Sequence, residues 1–140
     1  MDCEFDPEET ETTAERQIRL VQSFFREAVL TSYDGLCAVC EISIVPLLNA
    51  SHIIPWKIDA GRRGDPRNGL SLCTLHDRAF DRGLMTVDED LRAVMSEDLR
   101  SGSDVPMAKV AFEEAHGKTI HLPHRFEPAA DALEYHREKV

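Results

Sequence analysis

The sequence predicts an α+β fold whose core is two short strands followed by a helix and closed by metal-binding side chains. Two short apolar runs, 50–54 and 70–73, flank a loop rich in glycine and proline, and a helix-compatible segment follows the second run. Cys37-Ala38-Val39-Cys40 matches Cys73-Thr74-Leu75-His76 in spacing. An N-terminal helix before this unit, and a β-hairpin and a C-terminal helix after it, are predicted to flank the core.

Length and composition predict one globular domain. The chain has 140 residues, with 42% hydrophobic and 30% charged residues, which is long enough for a modest core. No apolar run approaches the roughly 20 residues of a membrane span, and the acidic N-terminus is unlike a signal peptide. We therefore expect a cytoplasmic protein without a membrane partner. In that compartment a Cys-x-x-Cys pair favours metal or thiol chemistry over disulfides, and Cys3 is expected to be a bystander.

The net charge of −10 is unevenly distributed. Residues 1–15 hold seven acidic and no basic residues, whereas residues 52–83 hold six basic and four acidic residues. Phosphate binding depends on Lys and Arg, so a nucleic-acid partner is compatible only with residues 52–83, and their small excess predicts weak DNA binding by this domain alone.

Local signals divide the chain into a tail and a domain. Residues 1–12 are predicted to be an acidic flexible tail, and residues 13–140 the folded domain. Thr12 and Glu15 form a capping-box pattern, which predicts a helix from about residue 13 to residue 33 that ends at Asp34-Gly35. We expect both Phe24 and Phe25 of this helix to lie in the core.

Strand and turn signals predict the remaining elements. Residues 50–54 and 70–73 are predicted strands, and Thr74 is the expected N-cap of a helix to about residue 82. Residues 84–87 and 91–95 predict a hairpin. Residues 119–122 predict a short strand, and residues 129–139 a helix.

The two Cys-containing pairs predict a structural zinc site. A Cys-x-x-Cys turn brings two sulfurs to one ion, and a closed tetrahedral site needs two such pairs. Cys37/Cys40 and Cys73/His76 supply them and bracket both predicted strands. The alternative is that these cysteines are small buried apolar residues.

A second set of polar residues could perform phosphodiester hydrolysis. This reaction needs a base that activates water and a cation that stabilises the charge on phosphorus and the leaving oxygen. His52 on a strand, facing a helix with a metal ligand such as Asp77, could supply both. Taken singly, His52 could be a core histidine and Asn68-Gly69 a turn; the combination favours a catalytic site.

These residues carry a family resemblance. The segments Ser-His-Ile-Ile-Pro-Trp (51–56), Asn-Gly-Leu-Ser-Leu-Cys (68–73) and Leu-His-Asp-Arg-Ala-Phe-Asp-Arg-Gly (75–83) resemble the HNH endonucleases, the ββα-metal nucleases. The similarity extends over residues 16–140 and is nearest to the HNH domain at the C-terminal end of restriction endonucleases.

The resemblance implies roles for the site residues. His52 would be the general base and Asn68 would keep it oriented. In one register His76 completes the zinc site and Asp77 holds the catalytic Mg2+ or Mn2+; in the other His76 itself is the catalytic ligand. Asp81 is a candidate second ligand. Many HNH sites have an Asp before the base, and Ser51 occupies that position here, which predicts weak metal binding without DNA.

The resemblance also implies partners. DNA would be the substrate, and a separate target-recognition domain or subunit is expected. A homodimer is compatible with the sequence. The alternative function is a catalytically silent zinc-binding module that binds nucleic acid or a protein. The DNA-contacting candidates are basic residues of the motif region: Lys57, Arg62, Arg63, Arg67 and Arg78.

Overall fold

The computed structural model describes residues 12–140, so the predicted tail lies almost entirely outside the described residues, as does Cys3. Helix α1 spans Thr13–Ser32. Its capping box is formed as predicted, because the Thr12 hydroxyl accepts from the Glu15 N–H and the Glu15 carboxylate accepts from the Thr12 N–H. Asp34 and Gly35 follow in the left-handed conformation that ends many helices.

The central unit is an antiparallel hairpin followed by a helix. Strand β1 (Leu48–His52) pairs with β2 (Gly69–Cys73), with His52 opposite Gly69. Strand β1 begins two residues earlier than predicted, directly after a 3-10 turn at Val45–Leu47. Helix α2 (Thr74–Asp81) follows β2 without a loop. Its N-cap is Cys73, so the prediction for Thr74 is wrong by one residue; the Thr74 hydroxyl instead donates to the Leu47 carbonyl.

The remaining elements follow the central unit in the chain. Strands β3 (Met85–Val87) and β4 (Ala93–Met95) form the predicted hairpin. Two unpredicted short helices follow, α3 (Glu97–Ser101) and α4 (Pro106–Ala108), and α4 continues into a π-helical turn at Lys109–Glu113. Residues 119–122 form no strand in the structure, and only a single bridge joins Arg92 to Thr119. Helix α5 (Ala130–Lys139) confirms the predicted closing helix.

The core lies where α1 packs across β1 and β2. Phe25 and Val29 of α1 are buried. The expectation that both phenylalanines are core residues is wrong for Phe24, which is 61% exposed because it faces away from the hairpin. Among residues 12–140 no helix is both long and apolar enough to cross a membrane.

Candidate functional site

The four predicted zinc ligands form one cluster. Their donor atoms all lie within 4.8 Å of one another. Cys37 and Cys40 lie on a turn that is joined to β2 by a hydrogen bond from the Ala38 N–H to the Ser71 carbonyl. Cys73 ends β2 and His76 lies in the first turn of α2, so both side chains reach the same point. Tetrahedral zinc needs donor atoms about 3.5 to 3.8 Å apart. The cluster could therefore hold one zinc ion.

The orientation of the His76 ring decides whether it faces the cysteine cluster. Its Nε2 donates to the Ala111 carbonyl at 2.9 Å, so Nδ1 faces the sulfurs of Cys73 and Cys37, at 3.3 and 3.8 Å. The ring is 0% exposed, and the ring of Phe112 lies edge-on to it. His76 thus lies in the cysteine cluster, as the first of the two registers predicts.

The cluster favours an anionic sulfur even without a metal. Hydrogen bonds with Cys40 and Cys73 lower the pKa of the Cys37 thiol. Burial lowers the pKa of His76, but its hydrogen bonds with Cys37 and Cys73 outweigh burial and raise the pKa to about 10. A thiolate is the form that binds zinc, so Cys37 is already in its zinc-binding form, and zinc binding would release the proton held by His76.

Three contacts position the His52 ring at the end of β1. Its ring stacks on Phe25 with centroids 3.9 Å apart and an angle of 7° between the planes. Trp56 approaches the ring edge-on at 5.5 Å. The His52 Nε2 donates to the Arg63 carbonyl at 3.0 Å. In the neutral ring this hydrogen bond places the proton on Nε2 and leaves Nδ1 as the basic nitrogen.

Asn68 joins the loop 55–67 to the end of β1. It is 1% exposed. Its side-chain oxygen accepts from the Ile54 N–H at 2.9 Å, and its side-chain NH2 donates to the Ile54 carbonyl at 3.0 Å. The Asn68 carbonyl also accepts from the Ile53 N–H. These contacts fix the backbone directly after His52.

Asp77 faces β1 from helix α2. One carboxylate oxygen accepts a hydrogen bond from the Ser51 hydroxyl, and the other accepts from the Asn49 side chain at 3.3 Å. Burial raises the pKa of Asp77; the Ser51 hydrogen bond partly offsets this, and the negative charge of Asp81 raises the pKa further. Asp81 itself is exposed. Ser51 and His52 are successive residues of β1, so Asp77 contacts the strand at the residue before His52.

The predicted DNA contacts fall into two groups. Arg63 donates from Nε to the Trp56 carbonyl, and its guanidinium lies over the Trp56 ring. Arg62 pairs with Asp59 and Asp131. The other three are exposed: Lys57, Arg67 and Arg78.

Sequence reasoning missed several partners of these site residues. Phe25 was expected only as a core residue, although its ring supports His52. Asn49 could have been found, because it lies two residues before Ser51 and strand residues at that spacing share a face. Asp131 and Ala111 carry no local signal, since each contacts its partner across a long stretch of chain.

Comparison with known proteins agrees with this geometry. A family model described as HNH endonuclease matches residues 37–88. A solved structure titled "Modification dependent TagI restriction endonuclease" superposes with a TM-score of 0.52 at 22% sequence identity. The aligned region covers 83% of this chain and 37% of that one, so the chain spans less than half of that protein's length. No curated protein sequence matches the chain.

Proposed function

We propose, from the match of residues 37–88 to the family model described as HNH endonuclease, that residues 13–140 form a metal-dependent DNA endonuclease domain of restriction type. The observation that carries the proposal is the hydrogen bond from the His52 Nε2 to the Arg63 carbonyl. That bond leaves a partly buried ring nitrogen free to act as a base, at the position where the family motif has its first histidine.

The proposed reaction uses His52 at the end of β1 and Asp77 of α2, which contacts the residue before His52. His52 Nδ1 removes a proton from a water molecule, and the oxygen of that water attacks phosphorus. Asn68 keeps the backbone after His52 fixed. Asp77 would hold a Mg2+ or Mn2+ ion, with the Ser51 hydroxyl and the Asn49 amide group donating to its carboxylate; such an ion supplies positive charge to the scissile phosphate and the leaving 3′-oxygen. One protein carboxylate suits Mg2+, which keeps several waters.

The cysteine cluster has a different role in this proposal. Cys37, Cys40, Cys73 and His76 would hold a structural zinc ion. His76 would then be unavailable to the catalytic cation, since its Nδ1 faces the cysteine sulfurs and its Nε2 donates to the Ala111 carbonyl. Asp77, next in sequence, points the other way, to Ser51. One turn of helix α2 would therefore carry a ligand for the zinc ion and a ligand for the catalytic cation.

DNA would be held by the exposed basic residues. Lys57, Arg67 and Arg78 are exposed and are free to face phosphates. We infer that target recognition belongs to another region or subunit, because the restriction-enzyme neighbour is much longer than the part that aligns. A cytoplasmic location and a homodimer are part of the same proposal.

The test of the catalytic role is cleavage of supercoiled plasmid with Mg2+ or Mn2+. His52→Ala should lower the rate by about 100- to 10,000-fold, the usual contribution of a general base. His124→Ala is the matched control, since His124 is exposed and pairs only with the surface carboxylate of Asp34. Both variants should keep the wild-type melting temperature to within a few degrees. Equal rates for His52→Ala and wild type would remove His52 from its role.

The second candidate is a catalytically silent zinc module. The net charge of −10 and Ser51, in place of a second carboxylate, favour it. One tightly held zinc ion with no cleavage under any divalent cation would support this candidate. Cleavage that is abolished in Asp77→Ala would support the nuclease.

A further inference from the structure

The carbonyl that orients His52 belongs to an irregular loop. Arg63 lies in the segment 55–67, which contains only 3-10 turns at Ala60–Arg62 and Pro66–Asn68. Internal hydrogen bonds shape the loop locally: the Arg63 N–H donates to the Ala60 carbonyl, and the Arg63 side chain donates to the Trp56 carbonyl. Contacts from outside the loop are needed to fix where it lies relative to His52.

The loop is tied to the first turn of the C-terminal helix. The Arg62 guanidinium binds Asp131 through two parallel contacts, Nη1 to Oδ1 at 3.3 Å and Nη2 to Oδ2. The Arg67 carbonyl accepts from the N–H of Ala129, the N-cap of α5, at 2.9 Å. Arg62 and Arg67 lie on either side of Arg63. Helix α5 thus holds the loop on both sides of Arg63, whose carbonyl accepts the hydrogen bond from His52.

The charges around Arg62 favour an internal role over a phosphate contact. Its Nε lies 3.3 Å from an Asp59 oxygen, so each of its three nitrogens faces a carboxylate oxygen. One positive charge is shared by two negative charges. The Arg62 side chain is only 25% exposed. A guanidinium whose nitrogens already face carboxylate oxygens would bind a DNA phosphate weakly.

We propose that Arg62 and Asp131 are positioning residues for the general base: their ion pair fixes the loop so that the Arg63 carbonyl holds the proton of His52 on Nε2 and keeps Nδ1 basic. The inference rests on the proposed function for its catalytic consequence, but the tautomer of His52 can be measured without activity. Because the Asp131 side chain is 65% exposed, the ion pair contributes little to global stability, so its effect is local.

The experiment compares Arg62→Gln, Asp131→Asn and Asp131→Glu with wild type. The two neutral variants should lower kcat by about 3- to 10-fold, less than the ~100-fold loss for a badly misplaced group, and leave KM for DNA unchanged. Asp131→Glu keeps the carboxylate and should restore most of the rate. Lys109→Gln is the matched control, because it breaks another exposed ion pair, the one with Glu113.

A phosphate-contact role for Arg62 predicts a different pattern and would overturn the proposal. Arg62→Gln would then raise KM and reduce the salt dependence of binding, whereas Asp131→Asn would keep the wild-type kcat.

The second readout is 15N NMR of the His52 imidazole. Wild type should show the Nε2–H tautomer, and Asp131→Asn should show a mixture of tautomers with faster exchange of the Nε2 proton. Unchanged tautomer populations in both neutral variants would overturn the inference, even in a protein that cleaves DNA. If no variant and no wild type cleaves DNA, the proposed function fails, and the tautomer populations alone decide whether Arg62 and Asp131 position His52.

Discussion

Adjacent residues of helix α2 face different partners in this protein. His76 and Asp77 are adjacent in sequence, yet His76 turns into the cysteine cluster and Asp77 contacts Ser51 on β1. Successive helical residues differ by about 100° in direction. The short helix α2 can therefore present a zinc ligand on one side and a ligand for a catalytic cation on another.

Asn49 is expected to tune the catalytic cation through Asp77. Its amide donates to the Asp77 carboxylate at 3.3 Å. Asn49→Ala should raise the Mg2+ concentration for half-maximal cleavage by about 10-fold, as loss of a partner to a metal ligand does. A titration of plasmid cleavage with Mg2+ measures this, and the rate at saturating Mg2+ should fall much less. The same fractional loss at every Mg2+ concentration would contradict a role in metal binding.

Asn68 is expected to matter for stability as well as for orientation. Asn68→Ala removes two buried hydrogen bonds and leaves the Ile54 N–H and carbonyl without partners. The free energy of unfolding should fall by about 2–3 kcal/mol, as measured by urea denaturation. Asn49→Ala is the control, because Asn49 is only partly buried and should cost under about 1 kcal/mol. Equal losses of unfolding free energy in the two variants would mean that burial does not determine how much each asparagine contributes to stability.

At the scale of elements, α1 packs directly against the strand that carries His52. Phe25 stacks on His52, and the same ring lies against Gly69, the residue opposite His52 in the hairpin. A Cβ atom at Gly69 would lie 2.5 Å from the Val29 side chain and 2.7 Å from the Phe25 ring. The close approach of helix and hairpin therefore requires glycine at this position.

Gly69→Ala tests this packing. The added methyl group should cost about 1–3 kcal/mol of unfolding free energy, as overpacking of a core does. It should also lower kcat, because Phe25 must shift away from His52. Gly61→Ala is the matched control, since a Cβ atom there meets only the Asp59 side chain at 3.4 Å. Thermal melting and plasmid cleavage measure the two effects; a Gly69→Ala protein with wild-type stability would contradict the packing argument.

At the scale of the whole molecule, the cysteine cluster joins three parts of the chain. The turn at Cys37 and Cys40 and the junction of β2 with α2 supply the donors. The π-helical turn at Lys109–Glu113 supplies the Ala111 carbonyl that orients His76. Loss of a metal here would loosen the hairpin and the segment that covers it.

Zinc removal is therefore expected to unfold much of the domain. The purified protein should contain one zinc ion per chain, and Cys37→Ser should lose it together with most of the cooperative thermal transition. Cys3→Ser is the control, because Cys3 is predicted to be a bystander. Metal analysis and differential scanning calorimetry measure both effects. A Cys37→Ser protein that keeps its zinc and its melting temperature would contradict the structural role.

The match between sequence and structure is best where the signal is local. Helix α1 was predicted from its capping box and its glycine end, and the β3–β4 hairpin from two apolar runs around an acidic turn. The short helices between residues 97 and 113 were not predicted. Their apolar residues include the exposed Val105, Met107 and Val110, so hydrophobic periodicity gives no clear face there.

Sequence alone determined the set of possible zinc ligands: the spacing of Cys37, Cys40, Cys73 and His76 predicts the cluster that the structure forms, because ligand spacing is a local property of a chain. The roles of His52, Asn68 and Asp77 are predicted from the family resemblance. Only the tertiary structure decided how those residues are aimed. The orientation of the His76 ring depends on its hydrogen bond to the Ala111 carbonyl, and that of the His52 ring on its hydrogen bond to the Arg63 carbonyl. The first carbonyl lies on a π-helical turn and the second on an irregular loop, and both segments are positioned by packing against distant parts of the chain, which no local pattern encodes.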